Sequence, residues 1–433
     1  MRFLAAIALL TTLLPACSRD EPRTDEDEVS AGEAIAGHAG EANPNARYRP
    51  ARDGGARTLD DKIEALEGVG YLTGSKKASM RGGVTVHDGD RVDEGLNLLT
   101  SGHAPAAILM TNDGKIRHRW RCPFDKAFPD FPAEKLSRYQ FGDYFRRVRL
   151  LDDGALLAIF EGQAMVKIDR NSNVLWAFDG MAHHDLDLDD EGRIWTLTRQ
   201  AHVVPAIHPS EPILEDFVTR LSAAGKPEVR FSILRAFMKS KHRDALRGMP
   251  KEGDVLHTNT IEVLDGSLAD RIPAFAAGNL LISCLMIDTI AVIDPAKKAV
   301  VWTAKRDWVK QHQPTVLANG NILLFDNLGG ETRRGRSRAI ELDPVTMATV
   351  WKYVGAPDRP FETETCGSGQ RLPNGNTLLT ESDNGRAFEV TPQHEIVWEW
   401  VNPNRAGEQH EYIATLFEMI RLPADAPLGW LDE

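Results

Sequence analysis

The chain has 433 residues, with 63 acidic against 51 basic side chains and a formal net charge of −12. That balance argues against a nucleic-acid partner, which needs a basic face, while leaving room for a locally positive pocket around a small anion. Of the four cysteines, Cys17, Cys122, Cys284 and Cys366, none forms a C-x-x-C pair; without Cys17 an odd number remains, so no disulfide framework is implied and pairing among the other three stays open.

From the N-terminus, residues 1–16 read as an export leader: Arg2 is a positive n-region and Phe3 to Leu14 an apolar stretch too short to span a bilayer. Leu14-Pro15-Ala16-Cys17 resembles a bacterial lipobox, with Pro15 an unusual member. Cleavage before Cys17 would leave a lipidated cysteine and a membrane anchor, and so a periplasm-facing or outer-membrane protein of the cell envelope. Residues 18–57 hold an acidic run (Asp20, Glu21, Asp25 to Glu28) and then Gly, Ala, Asn and Pro without apolar periodicity, as a disordered tether would. Asp61 to Leu72 reads as a short helix. The folded domain, expected over residues 58–433, exceeds the usual limit of a single core and must be several domains or a closed repeat array.

Repeats decide between the two. Gln313 to Leu323, with Leu317-Ala318-Asn319-Gly320-Asn321, returns as Gln370-Arg371-Leu372-Pro373-Asn374-Gly375-Asn376. Trp302, Trp351 and Trp398 close three successive units at spacings of 49 and 47 residues. Earlier units turn at Asn112-Asp113-Gly114, Asp152-Asp153-Gly154 and Asp190-Glu191-Gly192, each between apolar runs, which is a hairpin signal. Hairpin-only repeats of this length predict an all-β, six-bladed β-propeller. Phe231 to Gly248 reads as an amphipathic helix inserted between blades three and four, and Leu416 to Leu422 as the strand that pairs with the first blade and closes the ring.

The innermost strands of a propeller converge on one axis, so equivalent repeat positions meet there. Counting four residues back from Leu188, Ile261 and Val316 gives His184, His257 and His312; from Leu150 it gives Arg146, and in the last blade Gly367. Three histidines and an arginine aimed into one channel need partners for every buried nitrogen, a cost that points to function. Such a cluster suits zinc with an open position, or nucleophilic and acid–base work on an anion held by Arg146. Asp185, directly after His184, is placed to orient its neighbour.

The blocks H-H-D-x-D at His183 to Asp187, H-T-N-T at His257 to Thr260, and the His312 block ending at Phe325-Asp326-Asn327 resemble the bacterial arylsulfotransferases, and the closing blocks from Gln370 to Trp400 look like the wider second branch of that family. The resemblance, over residues 80 to 420, implies a periplasmic six-bladed propeller that moves a sulfuryl group from an aryl sulfate to a phenol, with no cofactor, metal or nucleotide sulfate donor. It implies His312 as nucleophile, forming a sulfohistidine, with His184 and His257 as further catalytic residues and Thr258, Asn259 and Arg146 as substrate-binding residues. The family's arginine in the strand after H-x-N is missing: Ile282-Ser283-Cys284-Leu285-Met286 has Leu285 about where it should stand. Other readings are a non-catalytic envelope scaffold or ligand receptor and a zinc hydrolase; quinone-cofactor dehydrogenase repeats are not present. Substrates and oligomeric state are not encoded in these motifs.

Overall fold

The computed structural model describes residues 58–68, 76–79, 81–132, 144–329 and 336–432, together with the backbone of 42–43. The leader, Cys17, Leu72 and all of the expected tether except Ala42–Asn43 lie outside the described residues; that pair is not tether-like but runs parallel to Arg405–Ala406 as a short strand.

Six antiparallel sheets follow one another around an axis. From the innermost strand outward, the second blade is Phe145–Leu150, Leu156–Phe160, Ala164–Ile168 and Val174–Phe178. The third is Ala182–Leu188, Ile194–Val203, Pro212–Leu221 and Pro227–Ser232; the fourth is Thr258–Val263, Leu280–Cys284, Thr289–Asp294 and Ala299–Ala304. The fifth is His312–Val316, Ile322–Asp326, Arg338–Leu342 and Thr349–Tyr353, and the sixth begins Ser368–Arg371, Thr377–Glu381, Arg386–Val390 and Ile396–Val401. The first blade is Leu96–Ser101, Ala106–Met110 and Ile116–Arg121, and Leu416–Leu422 supplies its innermost strand, as the repeat pattern predicts. A second closure was not anticipated: Gly83–His87 pairs with Ile396–Val401 as a fifth, outermost strand of the sixth blade. The ring is therefore tied from both sides, and chain termini cover edges that would otherwise template foreign strands.

The core is six apolar sectors, one between each pair of neighbouring blades. In the second blade Leu156, Ala158 and Phe160 face the first blade, while Leu157 and Ile159 face the third. Because both faces of these strands are covered, they read as unbroken apolar runs rather than alternating ones. The repeated tryptophans sit on the outer strands and reach a neighbouring blade's turn: Trp120 Nε1 donates to Gly154 O (2.9 Å), Trp176 Nε1 to Ala223 O (3.2 Å) and Trp351 Nε1 to Pro392 O (3.2 Å). Trp398 Nε1 closes the circle to Asn112 O (2.7 Å). In blades one, two, five and six the repeat of tryptophan is thus a repeat of blade-to-blade clamps.

The insertion after the third blade is shorter in helix than its periodicity suggests. Phe231 and Ser232 end a strand, and only Ile233–Met238 is α-helical, capped by Ser232 Oγ, with Ile233, Leu234, Ala236 and Phe237 buried between blades three and four. Arg243–Leu246 adds one 3₁₀ turn. The N-terminal helix spans Leu59–Glu67, starting at a capping box between Thr58 and Asp61.

Candidate functional site

All the inner strands begin at the same end of the channel, and there the ladders break register. Extra residues stand at Phe417, Arg146, His184–Asp185, Asn259 and Gln313–Pro314. A bulge leaves its extra residue out of the ladder and re-aims its side chain, and Pro314, lacking an N–H, is tolerated only at such a place. Ser368–Arg371 alone pairs without a shift. The broken starts of five inner strands therefore form a collar of side chains released from regular pairing.

His184 adopts φ 58°, and its N–H donates to Glu161 Oε2 (3.1 Å). Its Nδ1 lies 3.2 Å from Glu161 Oε1 and 2.9 Å from His183 Nδ1, so one hydrogen is shared between the two rings. His183 Nε2 points at Asp216 Oδ1 (3.5 Å). Arg146 Cζ sits 5.1 Å from the Phe417 ring centre, with Nε 3.7 Å from Glu161 Oε2. The Phe417 ring also stacks on Tyr144 at 4.7 Å. His257, at φ 49°, stands edge-on to His184 with ring centres 4.8 Å apart, and its Nδ1 donates to Asp254 Oδ2 (2.6 Å). Glu161 is followed by Gly162 at φ +72°, where a Cβ would lie 2.0 Å from Arg199 Nη2; a glycine is required for that buried guanidinium to pass.

His312 has a single possible tautomer. Its Nδ1 faces two acceptors, Lys310 O (3.0 Å) and Asn327 Oδ1 (2.8 Å). The Asn327 amide cannot be turned the other way, since Nδ2 donates to Thr363 O (2.9 Å) and Cys366 O (2.8 Å). Nδ1 therefore carries the hydrogen, and Nε2 keeps its lone pair. Burial pushes the His312 pKa down to about 3 against the raising effect of Asn327, so the ring is neutral at ordinary pH. Burial likewise drives His183 and His184 well below the usual histidine value, with Arg199 adding to it for His183, and His257 and Arg146 for His184. Glu161 is pushed up by burial, opposed by Arg146 and Arg199, and Asp216 is pushed up to about 7 by burial and by Asp254.

Beneath the collar a polar tie crosses the channel. Arg147 Nε pairs with Asp185 Oδ1 (3.1 Å) and its Nη1 with Glu418, which also accepts from Gln313 Nε2 (3.1 Å). Asp185 Oδ2 accepts Ile261 N–H (3.0 Å). Asp185 thus joins blades three and four and pairs with Arg147 rather than orienting His184.

A sequence profile described as Arylsulfotransferase (ASST) matches residues 147–403, more than half of the chain. The chain belongs to the arylsulfotransferase family. A search of curated proteins finds no match. Among solved structures it is similar to a protein of unknown function from Bacteroides caccae, at 12% identity and TM-score 0.49, covering 76% of this chain and 98% of that one. It is also similar to the Cps50 (Swd1) β-propeller domain of Myceliophteria thermophila, at 10% identity and TM-score 0.43 over 80% and 99%, and to virginiamycin B lyase from Staphylococcus aureus, at 10% identity and TM-score 0.33 over 64% and 83%. These likenesses bear on nothing beyond the outline of the fold.

In this member of the family the equivalence between blades differs from the sequence count. The last ladder pair of blade four is Val263 with Leu280, matching Leu150, Leu188 and Val316 in the other blades. Four residues back from Val263 is Asn259, so Ile261 is the wrong anchor. His257 lies just before its strand and joins the cluster by its left-handed turn, not by repeat position. The alternating apolar pattern hides this, because Ile261 and Val263 stand two residues apart on one strand and either can be taken for its last pair. The Asn259 amide donates to Gln311 O (2.9 Å) and accepts from Thr260 Oγ1 (3.1 Å), bracing the main chain beside His312. Thr258 Oγ1 lies 3.8 Å from Cys284 Sγ, and its N–H donates to Asp216 Oδ2 (2.7 Å). Leu285 opens a 3₁₀ turn whose N–H donates to His257 O (3.2 Å); the guanidiniums beside the cluster come from Arg146 and Arg199 instead. Glu161, Asp216 and Asp254 carry no repeat signal, because they come from outside the inner strands; Phe417 is on an inner strand, but one supplied to blade one from far along the chain. Cys122, Cys284 and Cys366 are buried and unpaired.

The zinc reading needs His184, His257 and His312 as ligands. The metal-type grouping among the described residues is instead Glu161, His183 and His184, with ligand atoms within 4.8 Å of one another. It fits a divalent ion poorly, since Arg146 and Arg199 already act on that carboxylate and a third positive centre would be repelled. A cleft of about 550 Å³ between the outer parts of blades three and four, beside Trp195, Arg220 and Lys298, shares no residue with the cluster.

Proposed function

We propose that this protein carries a sulfuryl group from an aryl sulfate to a phenolic acceptor by way of His312. The observation that carries the reading is the tautomer of His312: a neutral, buried ring with Nδ1–H held by two carbonyl oxygens and Nε2 unprotonated. In the first step Nε2 attacks sulfur, an N–S bond forms, the S–O bond to the aryl group breaks, and a proton from the His257 imidazolium goes to the departing phenolate. In the second, His257 takes the proton of the acceptor phenol, whose oxygen attacks sulfur as the N–S bond breaks. The sulfohistidine keeps its Nδ1–H throughout, so its ring charge is balanced by the sulfuryl group. Charge on the peripheral oxygens faces Arg146, a fixed donor that needs no reorganisation. The tie through Arg147, Asp185, Gln313 and Glu418 supports access from one end only. No step requires a metal or a nucleotide donor. The lipobox at Cys17 supports an anchored, envelope-facing location for this chemistry.

Donor without acceptor should leave one sulfuryl group on the protein, mapped to His312 at neutral or alkaline pH. His312→Asn should keep its melting temperature and lose both label and phenol release. Aryl sulfate turnover undiminished in that variant would overturn the proposal and leave the scaffold reading, which the apolar Leu285 favours.

A further inference from the structure

Between the third blade and His257 the chain runs through the insertion, and its last leg is built closely. Gly253–Asp254 lies parallel to Ile213–Leu214 as an added strand of blade three, and Val255 and Leu256 are fully buried. Asp254 then turns back on the next residues. Its Oδ1 accepts the His257 N–H (3.1 Å) while Oδ2 accepts the Nδ1–H (2.6 Å), so one carboxylate holds both main chain and ring. His257 is left at φ 49°, a conformation that costs about 1 kcal/mol or more for a residue with a Cβ and persists only where its surroundings impose it. The His257 side chain is 15% exposed, against 1% for His183 and 2% for His184, which puts it at the mouth of the collar where a phenol would enter and leave.

The histidines are backed differently. His312 rests on two carbonyl oxygens that fix its neutral tautomer. His184 and His183 share a hydrogen with each other, and the Glu161 carboxyl beside them is also met by Arg146. His257 has a carboxylate of its own at hydrogen-bond distance. A carboxylate there fixes the Nδ1–H tautomer, turns Nε2 toward the reacting group and compensates the charge that a proton on Nε2 brings. Other ionisable groups that this ring acts on include His183, His184 and Asp216 from blade three, Glu161 from blade two and His312 from blade five.

We infer that Asp254 is a positioning residue for proton transfer: it holds His257 as the group that protonates the leaving phenolate and deprotonates the acceptor, and the insertion between blades three and four exists in part to deliver it. The inference rests on the sulfuryl-transfer reading above and adds the division of labour, with His312 attacking and the Asp254–His257 pair moving the proton.

The test uses the full chain and two donors, para-nitrophenyl sulfate, whose phenolate leaves without help, and phenyl sulfate, which needs a proton. In Asp254→Asn, single-turnover labelling should fall less than about tenfold with the first donor and about 100-fold or more with the second, the range of a lost general acid. His257→Asn should show the same split, and the double variant no further loss. Asp254→Glu should recover part of the phenyl sulfate rate. The ratio between donors does not depend on how much of a variant is folded, so a merely structural role would lower both rates by one factor. That equal loss, or no loss with either donor, would overturn the inference while leaving His312 in place. Absence of transfer by the unaltered chain from both donors would instead overturn the sulfuryl-transfer reading, and this inference with it.

Discussion

The two ends of the inner strands are built on opposite principles. At their far ends the ladders run in register, from Leu150, Leu188, Val263 and Val316, and side chains latch one blade to the next: Asp187 Oδ2 accepts Val263 N–H (2.8 Å), and the Glu262 carboxyl accepts Val316 N–H (3.2 Å). At their starts the ladders are broken, and His184, His257 and Gln313 take left-handed backbone conformations without being glycine. Strain of that kind is kept only where the surroundings over-determine it, and here it falls on His184, on His257 and on Gln313, the residue after His312. The difference teaches that the ring's stability and its chemistry are separable along each strand. One end holds the blades together, while the other gives up pairing to present Arg146, His184 and Phe417.

The largest effect that would break this comparison is at Arg146. Arg146→Met should lower sulfuryl transfer by about 100-fold or more, as loss of a fixed donor to developing charge does, with only a small change in melting temperature. A large fall in melting temperature with transfer per folded molecule unchanged would place Arg146 among the structural latches. Next is Gly162→Ala, in which both the positive φ and the contact with Arg199 oppose a methyl group. It should cost about 2–4 kcal/mol in denaturant unfolding, because the clash falls on a buried guanidinium rather than on a flexible surface chain. An unchanged midpoint would mean that Arg199 is not fixed beneath the collar.

The smallest effect sharpens the comparison through pH. Burial raises the Glu262 pKa from 4.5 to about 8, against the lowering effect of Val316 N–H. Its contribution to stability is therefore complete below about pH 4.5 and is lost as pH rises through about 8, because the unfolded chain ionises the carboxyl first. Glu262→Gln should leave the melting temperature unchanged near pH 4.5 and raise it progressively toward pH 8 and above, by about 1–3 kcal/mol in unfolding free energy. His184 and His312 act on the opposite side. Held below their ordinary value by burial, they weaken the fold as pH falls from about 6.5 through the His312 value of about 3. A Glu262→Gln advantage that does not grow with pH would show that the latch end carries no buried carboxyl of this kind.

Much of the architecture was legible residue by residue. Asn-Gly and Asp-Gly turns select two-residue hairpins locally, and tryptophan recurs on the fourth strands of blades one, two, five and six because the clamp recurs there. The closing role of Leu416 to Leu422 followed from an apolar strand left without a hairpin partner. Gly83–His87 was not read as a strand of the last blade, since its partner, Ile396–Val401, is some 300 residues away and already had one neighbour. His184, His312 and Arg146 were found because inner-strand position is periodic. His257 was found by a count from Ile261, two residues short of the true anchor Val263, and its place in the cluster is owed to a turn instead.

The sequence by itself determined the blade count, the ring closure at the C-terminal strand and the residue types that converge on the axis, because each depends on local turn chemistry and on apolar repeats. Only the tertiary structure decided how those residues work as a set. Register shifts insert single residues that no hydrophobic pattern records. Glu161, Asp254 and Asn327 reach the histidines from a second strand, an insertion and a neighbouring turn. Which ring nitrogen carries a proton depends on those partners and on burial, and both exist only once the six blades have closed.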